Sequence, residues 1–244
     1  MRYRITVAYD GTAYGGWQVQ PGVMTIQERL EEVLEKLSGS RPKVHGSGRT
    51  DQGVHAVGQV AHFDLDVTWK PASLQKGLNA LLPPDIRISA CAETHSDFHA
   101  RRSAAWKEYR YFIWNGPVLP PHLRLYRAHV LRPLNAELMQ KAADHLVGRH
   151  DFSAFTANPN RVVESAVREV TRLDVRKKGS DLVLVVRGEG FLYKMVRSIA
   201  GILIRVGEGA TPPADLVSIR DSRIRTARVP TAPPQGLFLW HVGY

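Results

Sequence analysis

Cysteine is nearly absent: Cys91 is the only one in 244 residues. This excludes an intramolecular disulfide and a Cys-rich metal cluster, and it fits a reducing compartment. Cys91 follows Ile86 and Ile88 in IRISACAE, the setting of a buried strand thiol rather than a nucleophile. No apolar run reaches the ~18–20 residues of a membrane span. No GxxxxGK[ST] phosphate loop is present and GSGRTDQG does not spell a dinucleotide fingerprint, so no cofactor is expected. His95 and His99 are spaced i, i+4, but THSDFHA reads as a loop and nothing completes a ligand set, so no metal is expected. The opening stretch MRYRITVAYDG alternates Tyr3, Ile5 and Val7 with polar or small residues, which predicts a strand rather than a signal peptide. A cytoplasmic protein without a membrane segment is the expectation.

Negative charge is scarce too. There are 23 acidic residues against 33 basic ones, for a formal net charge of +10, and 24 of the 33 are arginine. Arginine binds phosphate bidentately and stacks on bases, so this excess favours a polyanion, RNA above all. The basic residues are dispersed rather than gathered in a tail, which predicts a folded basic surface.

What the chain does contain is an alternation of strand and helix patterns without a strict βαβ repeat, an α+β class. TIQERLEEVLEKLSG puts Ile26, Leu30, Val33, Leu34 and Leu37 on one helical face, with Thr25 as N-cap, Glu28 three residues on, and Gly39 at the stop. GQVAHFDLDV alternates Ala61, Phe63, Leu65 and Val67, which predicts a half-buried strand. PASLQKGLNALL predicts a second helix and IRISACAE a strand. The pattern restarts near residue 104, so two similar-sized halves, 1–103 and 104–244, are expected to pack as a unit. The second half reads as the strand AAWKEYRYFIW, the helix NAELMQKAADHLVG, and two strands joined at Lys-Gly-Ser. The apolar helix FLYKMVRSIAGILIRVGEG, a short helix in PPADLVSIRD and the closing strand GLFLWHVGY follow.

Three places carry chemistry. In GSGRTDQGVHA, Asp51 sits two residues after Arg49 among Gly46, Gly48 and Gly53. Glycines at that density allow sharp turns and close approach to a ligand, although an Asx-turn aspartate would also fit. In WKEYRYFIW, alternation separates Lys107, Tyr109, Tyr111 and Ile113 from Trp106, Glu108, Arg110, Phe112 and Trp114. Such a strand serves either base stacking or core packing. In FLYKMVRS, Lys194 and Arg197 stand on the first turns of an apolar helix, where an embedded arginine needs a carboxylate partner unless it snorkels to the surface.

These stretches, with YDGTAYGGWQVQ, FHARRSAAWKEYRY, HDFSAF and APPQGLFLWHVGY, resemble the TruA family of tRNA pseudouridine synthases nearly end to end. Small departures are Ser47, Gln52 and Thr156. The resemblance implies a pseudouridine-synthase-like fold: two RNA-recognition-like halves with a joined mixed or antiparallel sheet around a positively charged central cleft. The first half would carry the catalytic loop and the second would complete the cleft. It implies isomerisation of uridine to pseudouridine at positions 38, 39 and 40 of the tRNA anticodon stem-loop, without a cofactor, by a homodimer. By motif, Asp51 is similar to the catalytic aspartate, Tyr109 to the tyrosine that packs on the target base, and Arg197 to the cation that keeps Asp51 ionised. Arg49, Gln52, His55, Arg101 and Lys107 take RNA-binding and base-flipping roles, with Arg49 filling the place of the displaced nucleotide. From the residues alone, a non-catalytic RNA-binding module and a nucleic-acid glycosidase remain alternatives.

Overall fold

The computed structural model describes residues 1–157 and 165–244. In chain order the main elements are β1 (Arg2–Tyr9), α1 (Ile26–Ser38), β2 (His45–Gly46), β3 (His55–Asp64), α2 (Pro71–Leu81), β4 (Ile86–Glu93) and β5 (Trp106–Trp114). There follow β6 (Ala128–His129), α3 (Ala136–Asp144), β7 (Gly148–Asp151), β8 (Val167–Lys178), β9 (Asp181–Gly188), α4 (Met195–Gly207), α5 (Asp215–Asp221) and β10 (Leu237–Gly243). Among the described residues no helix is long and apolar enough to cross a membrane.

The chain divides into two compact units, Met1–Ala105 with Phe238–Tyr244, and Trp106–Leu237. The division thus falls two residues beyond the expected 103/104 boundary. The closing strand, assigned from sequence to the second half, belongs to the first.

In the first unit β3 is central. β1 pairs with it antiparallel along its length, from Arg2↔Asp64 to Tyr9↔Ala56. On its other edge β2 pairs at His45↔His62 and β10 runs parallel at Phe238↔His55. β4 extends the sheet beyond β1. Tyr3, Ile5 and Val7 are fully buried together with Ala61 and Phe63; Tyr3 and Phe63, cross-strand partners, stack at 6.0 Å. α1 forms as its pattern predicts. Thr25 Oγ1 accepts the Glu28 N–H at 3.4 Å, and Gly39, at φ 77°, returns its N–H to the Glu35 carbonyl. Ile26, Leu30, Val33 and Leu34 are buried, each contributing roughly 1.5–3 kcal/mol on transfer from water. Cys91 lies half-buried in β4 opposite Ile5, and burial pushes its thiol up to about 11.

β3 departs from its expected one-sided burial: from Gly58 to Phe63 every residue is buried. Strands pair on both of its edges, and the face carrying His62 is covered by His45, Phe98 and His99. Val67, expected to continue the apolar alternation, lies past the strand end and is exposed.

The second unit has the antiparallel order β5-β9-β8-β7, with β6 parallel to β5. β8 and β9 turn at Gly179, φ 59°, the glycine of the expected Lys-Gly-Ser turn. α4 starts later than its apolar pattern suggests. Lys194 is its N-cap, at φ 58° in the left-handed region, and the helix begins at Met195. Lys194 and Arg197 therefore do not share a helical face.

Candidate active site

The glycine loop joins β2 to β3 and is fastened at both ends by the first unit. At its entry, Glu31 Oε1 on the inner face of α1 accepts from the Val44 N–H (3.0 Å) and from Gln27 Nε2 (2.8 Å). Gln27 Oε1 in turn accepts from the Val19 N–H (3.1 Å). Gln27 and Glu31 are polar residues four apart on an otherwise apolar face, a signal that sequence reading passed over. Within the loop, Ser47 Oγ donates to Gln59 Oε1 (2.7 Å) and Gln59 Nε2 donates to the Gly48 carbonyl (2.8 Å). The Thr50 hydroxyl and the Tyr9 hydroxyl meet at 2.8 Å in the core. Burial pushes the Tyr9 phenol far up, with its hydrogen bonds to Thr50 and Gln59 acting the other way.

Asp51 is half-buried at the crest of this loop. Its carbonyl accepts the Val54 N–H at 3.1 Å, closing a turn that needs Gly53 at φ 74°. Behind it runs the 14–17 segment, where the Trp17 N–H donates to the Thr50 carbonyl (3.1 Å). Gly16, at φ 96°, lies so close that a Cβ would stand 2.4 Å from the Thr50 carbonyl oxygen and 3.0 Å from the Asp51 carbonyl carbon. The YGGW glycine is thus what permits two backbones to touch beneath the carboxylate.

The other residues singled out in this unit are placed unevenly. Arg49 is exposed, its Nε donating to Gln18 Oε1 (2.9 Å), and Gln52 is exposed in the turn. Arg101 is exposed in the turn after β4. His55 differs from expectation. It is fully buried, its Nδ1 accepts the Gly11 N–H (3.1 Å) and stands 3.2 Å from Asp10 Oδ1, and its ring stacks on Phe238 at 4.6 Å. As placed, His55 has no surface to offer RNA; it ties the loop exit to the end of β1.

In the second unit Tyr109 and Lys107 stand on β5. Tyr109 is buried, its ring edge-on to Phe191 at 5.2 Å and 87°. Arg197, in the first turn of α4, donates from Nε to the Ala232 carbonyl (2.8 Å), and the Ala232 N–H returns a bond to the Arg197 carbonyl (3.0 Å). Burial pushes the Tyr111 phenol far up, with the nearby Arg197 charge opposing; its hydroxyl donates to the Pro233 carbonyl (2.9 Å). Tyr111 is therefore a packing residue, and Tyr109 is the strand tyrosine whose ring neighbours are aromatic.

A family profile described as tRNA pseudouridine synthase matches residues 5–101 and 142–244, spanning the Asp51 loop and Arg197. The chain belongs to the tRNA pseudouridine synthase family. A protein of Chlamydia trachomatis serovar A named tRNA pseudouridine synthase A is 46% identical over 243 residues, covering 98% of this chain and 91% of that protein. One of the same name from Geotalea daltonii is 44% identical over 241 residues, covering 99% and 98%. Among solved structures, a chain in the crystal structure of a Cbf5-Nop10-Gar1 complex gives a TM-score of 0.33 at 17% identity, covering 82% of this chain and 54% of that one, a likeness too low to argue from. The two profile segments leave out residues 102–141, and so do not cover β5, where Tyr109 and Lys107 stand.

Proposed function

We propose that this protein isomerises uridine to pseudouridine at positions 38, 39 and 40 of the tRNA anticodon stem-loop, with Asp51 as the catalytic carboxylate. The observation that carries this reading is membership of the synthase family in a chain that holds Asp51 on a backbone-braced loop beside the exposed Arg49. The reaction breaks the N1–C1′ bond of uridine, turns the base, and forms a C5–C1′ bond. The C5 proton leaves and N1 gains one, so nothing is consumed. A carboxylate serves this chemistry by stabilising positive charge at C1′, by attacking C1′ or C6, or by taking the C2′ proton. Arg197 is the cation that keeps Asp51 ionised, and Tyr109 packs on the uracil as the candidate base. Extruding the target nucleotide costs a few kcal/mol, which Arg49 in the vacated space offsets, with Gln52, Arg101 and Lys107 contacting the RNA. His55 serves as a positioning residue beneath the loop. The family resemblance further supports a homodimer and a cytoplasmic address, and the net charge of +10 supports a tRNA partner.

The test is tritium release from tRNA carrying 5-³H-uridine, comparing the protein with Asp51→Ala. Release by the parent and loss of at least ~10²–10⁴-fold in the variant, with tRNA still bound, is the expected result. Retained turnover in the variant would remove Asp51 from the mechanism. An abasic ribose in place of pseudouridine would make the protein a glycosidase.

A further inference from the structure

A second polar site lies in the first unit. A cavity of about 340 Å³ is lined by Arg2, Lys43, His45, His62, His99 and Arg102, and none of the six is used in the catalytic reading above. Its volume is at the lower end of the ~300–1,000 Å³ typical of small-ligand pockets. His45 and His62 are cross-strand neighbours with rings stacked at 5.0 Å and 19°, and His99 completes the group at 4.7 Å from His62 and 5.6 Å from His45.

Hydrogen bonds fix which nitrogen carries the proton in two of the three rings. His62 Nδ1 accepts the Ala100 N–H (3.1 Å), and His99 Nδ1 accepts the N–H groups of Arg101 (3.1 Å) and Arg102 (3.4 Å). In the neutral ring a nitrogen that accepts has no proton, so both rings carry theirs on Nε2 and are donors there. Burial lowers all three histidines, most of all His62, to about 4. Neighbouring charge adds to this: Lys43 and Arg2 on His45, Arg102 on His99, and Arg2 on His62, where a proton on either of the other two imidazoles would act the same way. His62 and His99 are therefore neutral rings that can donate from Nε2 at neutral pH, and all three histidines line the cavity.

A metal does not fit this arrangement. Among the described residues no group of three His, Cys, Asp or Glu is placed to share an ion. The cavity also carries three permanent cations against one carboxylate, Asp64. Arg2 is consumed by the fold: its Nε and Nη2 donate to Asp64 at 2.9 and 2.8 Å, and Nη1 donates to the carbonyls of Phe98 (2.9 Å) and Ser96. Lys43 and Arg102 are different. Both are exposed, and among the described residues neither is held in an ion pair. Two uncommitted cations in a cavity also lined by neutral imidazoles suit a phosphate group.

We propose that this cavity is a phosphate-binding site, with Lys43 and Arg102 pairing with the anion, and that its occupant is a backbone phosphate of bound RNA. The choice of RNA rests on the proposed function; the phosphate chemistry does not. A full-length K43Q/R102Q variant alters only exposed side chains and tests both. Affinity for tRNA is measured across a salt series, and ¹⁵N-histidine spectra are recorded with added inorganic phosphate. The expected result is a roughly tenfold loss of tRNA affinity and a salt slope shallower by about 1. Phosphate should shift the ring signals of His45, His62 or His99 in the parent and not in the variant. Unchanged tRNA affinity with those phosphate shifts intact would overturn the RNA assignment and give the site to free phosphate. Unchanged affinity with no shifts would overturn the site. Tritium release by the parent is read separately, so failure of the synthase reading would show there whatever the cavity binds.

Discussion

The two units hold the side chains proposed for catalysis by opposite means. In the first, backbone rests on backbone: Asp51 stands on a loop whose peptide groups touch the segment at Gly16 and whose exit is stapled to Gly11 through His55. In the second, Tyr109 and Arg197 stand on regular elements, a strand paired at Tyr109↔Val186 and the first turn of a buried helix. A loop braced by close backbone contact has no slack for added atoms. A side chain on a strand or helix, such as Tyr109 or Arg197, depends instead on its side-chain partners. The Asp51 loop should therefore suffer most from enlargement and the strand and helix positions from truncation, although close backbone approach also occurs within the second unit, where a Cβ at Gly201 would stand 2.1 Å from the Pro230 carbonyl oxygen.

The largest expected effect tests the first half of that contrast. Gly16→Ala adds one methyl group against the Thr50 carbonyl at positive φ. It should cost on the order of 3 kcal/mol in urea unfolding and remove most turnover. A loss below about 1 kcal/mol would mean that the 14–17 segment yields easily, and the contrast would fail.

Next comes Glu108→Gln in the second unit. Glu108 is buried and accepts from Arg110 Nε and Nη2 (both 3.0 Å) and from Arg187 Nη2 (2.8 Å), while the Arg187 guanidinium lies 4.1 Å over the Trp106 ring. Burial alone would raise this carboxyl, but Arg187 and Arg110 outweigh it and hold the group below its ordinary 4.5. Because both arginines are about one-third exposed, solvent screening brings the expected loss to about 1–3 kcal/mol. A carboxyl lowered on folding stabilises above its unfolded value and loses that contribution as pH falls through the folded one. The gap between variant and parent should thus be full at neutral pH and close below pH 4.5. A gap independent of pH would mean that shape, not charge, is what Glu108 supplies.

The smallest effect sharpens the first half again. Thr50→Val removes a side-chain bond to Tyr9 within the same loop, but Gln59 still bonds that phenol. Thermal unfolding should report about 1 kcal/mol, clearly less than Gly16→Ala although more polar contact is lost.

Much of the fold can be read from the chain where signals are local. The cap at Thr25, the stop at Gly39 and the faces of β5 follow from periodicity and from single-residue stereochemistry. The start of α4 is not legible, because FLY continues the apolar pattern while Lys194 takes a left-handed conformation that no pattern encodes. The histidine group is hidden from the sequence for another reason. His45, His62 and His99 lie on β2, β3 and a loop, and a histidine on a strand reads as a polar, outward residue. Only the register His45↔His62 reveals that it is enclosed. The burial of His55 is hidden in the same way, since its cover, Phe238, is distant in sequence. The loop around Asp51 was legible as glycine-rich, whereas the partner that explains its shape, Gly16, was not.

The return of residues 238–244 to the first unit gives the molecule an order of assembly. β3 offers its edge at His55 and Ala56 to a strand that the ribosome makes only after the whole of Trp106–Leu237. At ~5–20 residues per second that interval is on the order of ten seconds. During it the nascent first unit has its loop and helices but no lid over His55, and an open strand edge beside it. The unit that is synthesised first is thus completed only once β10 has been made.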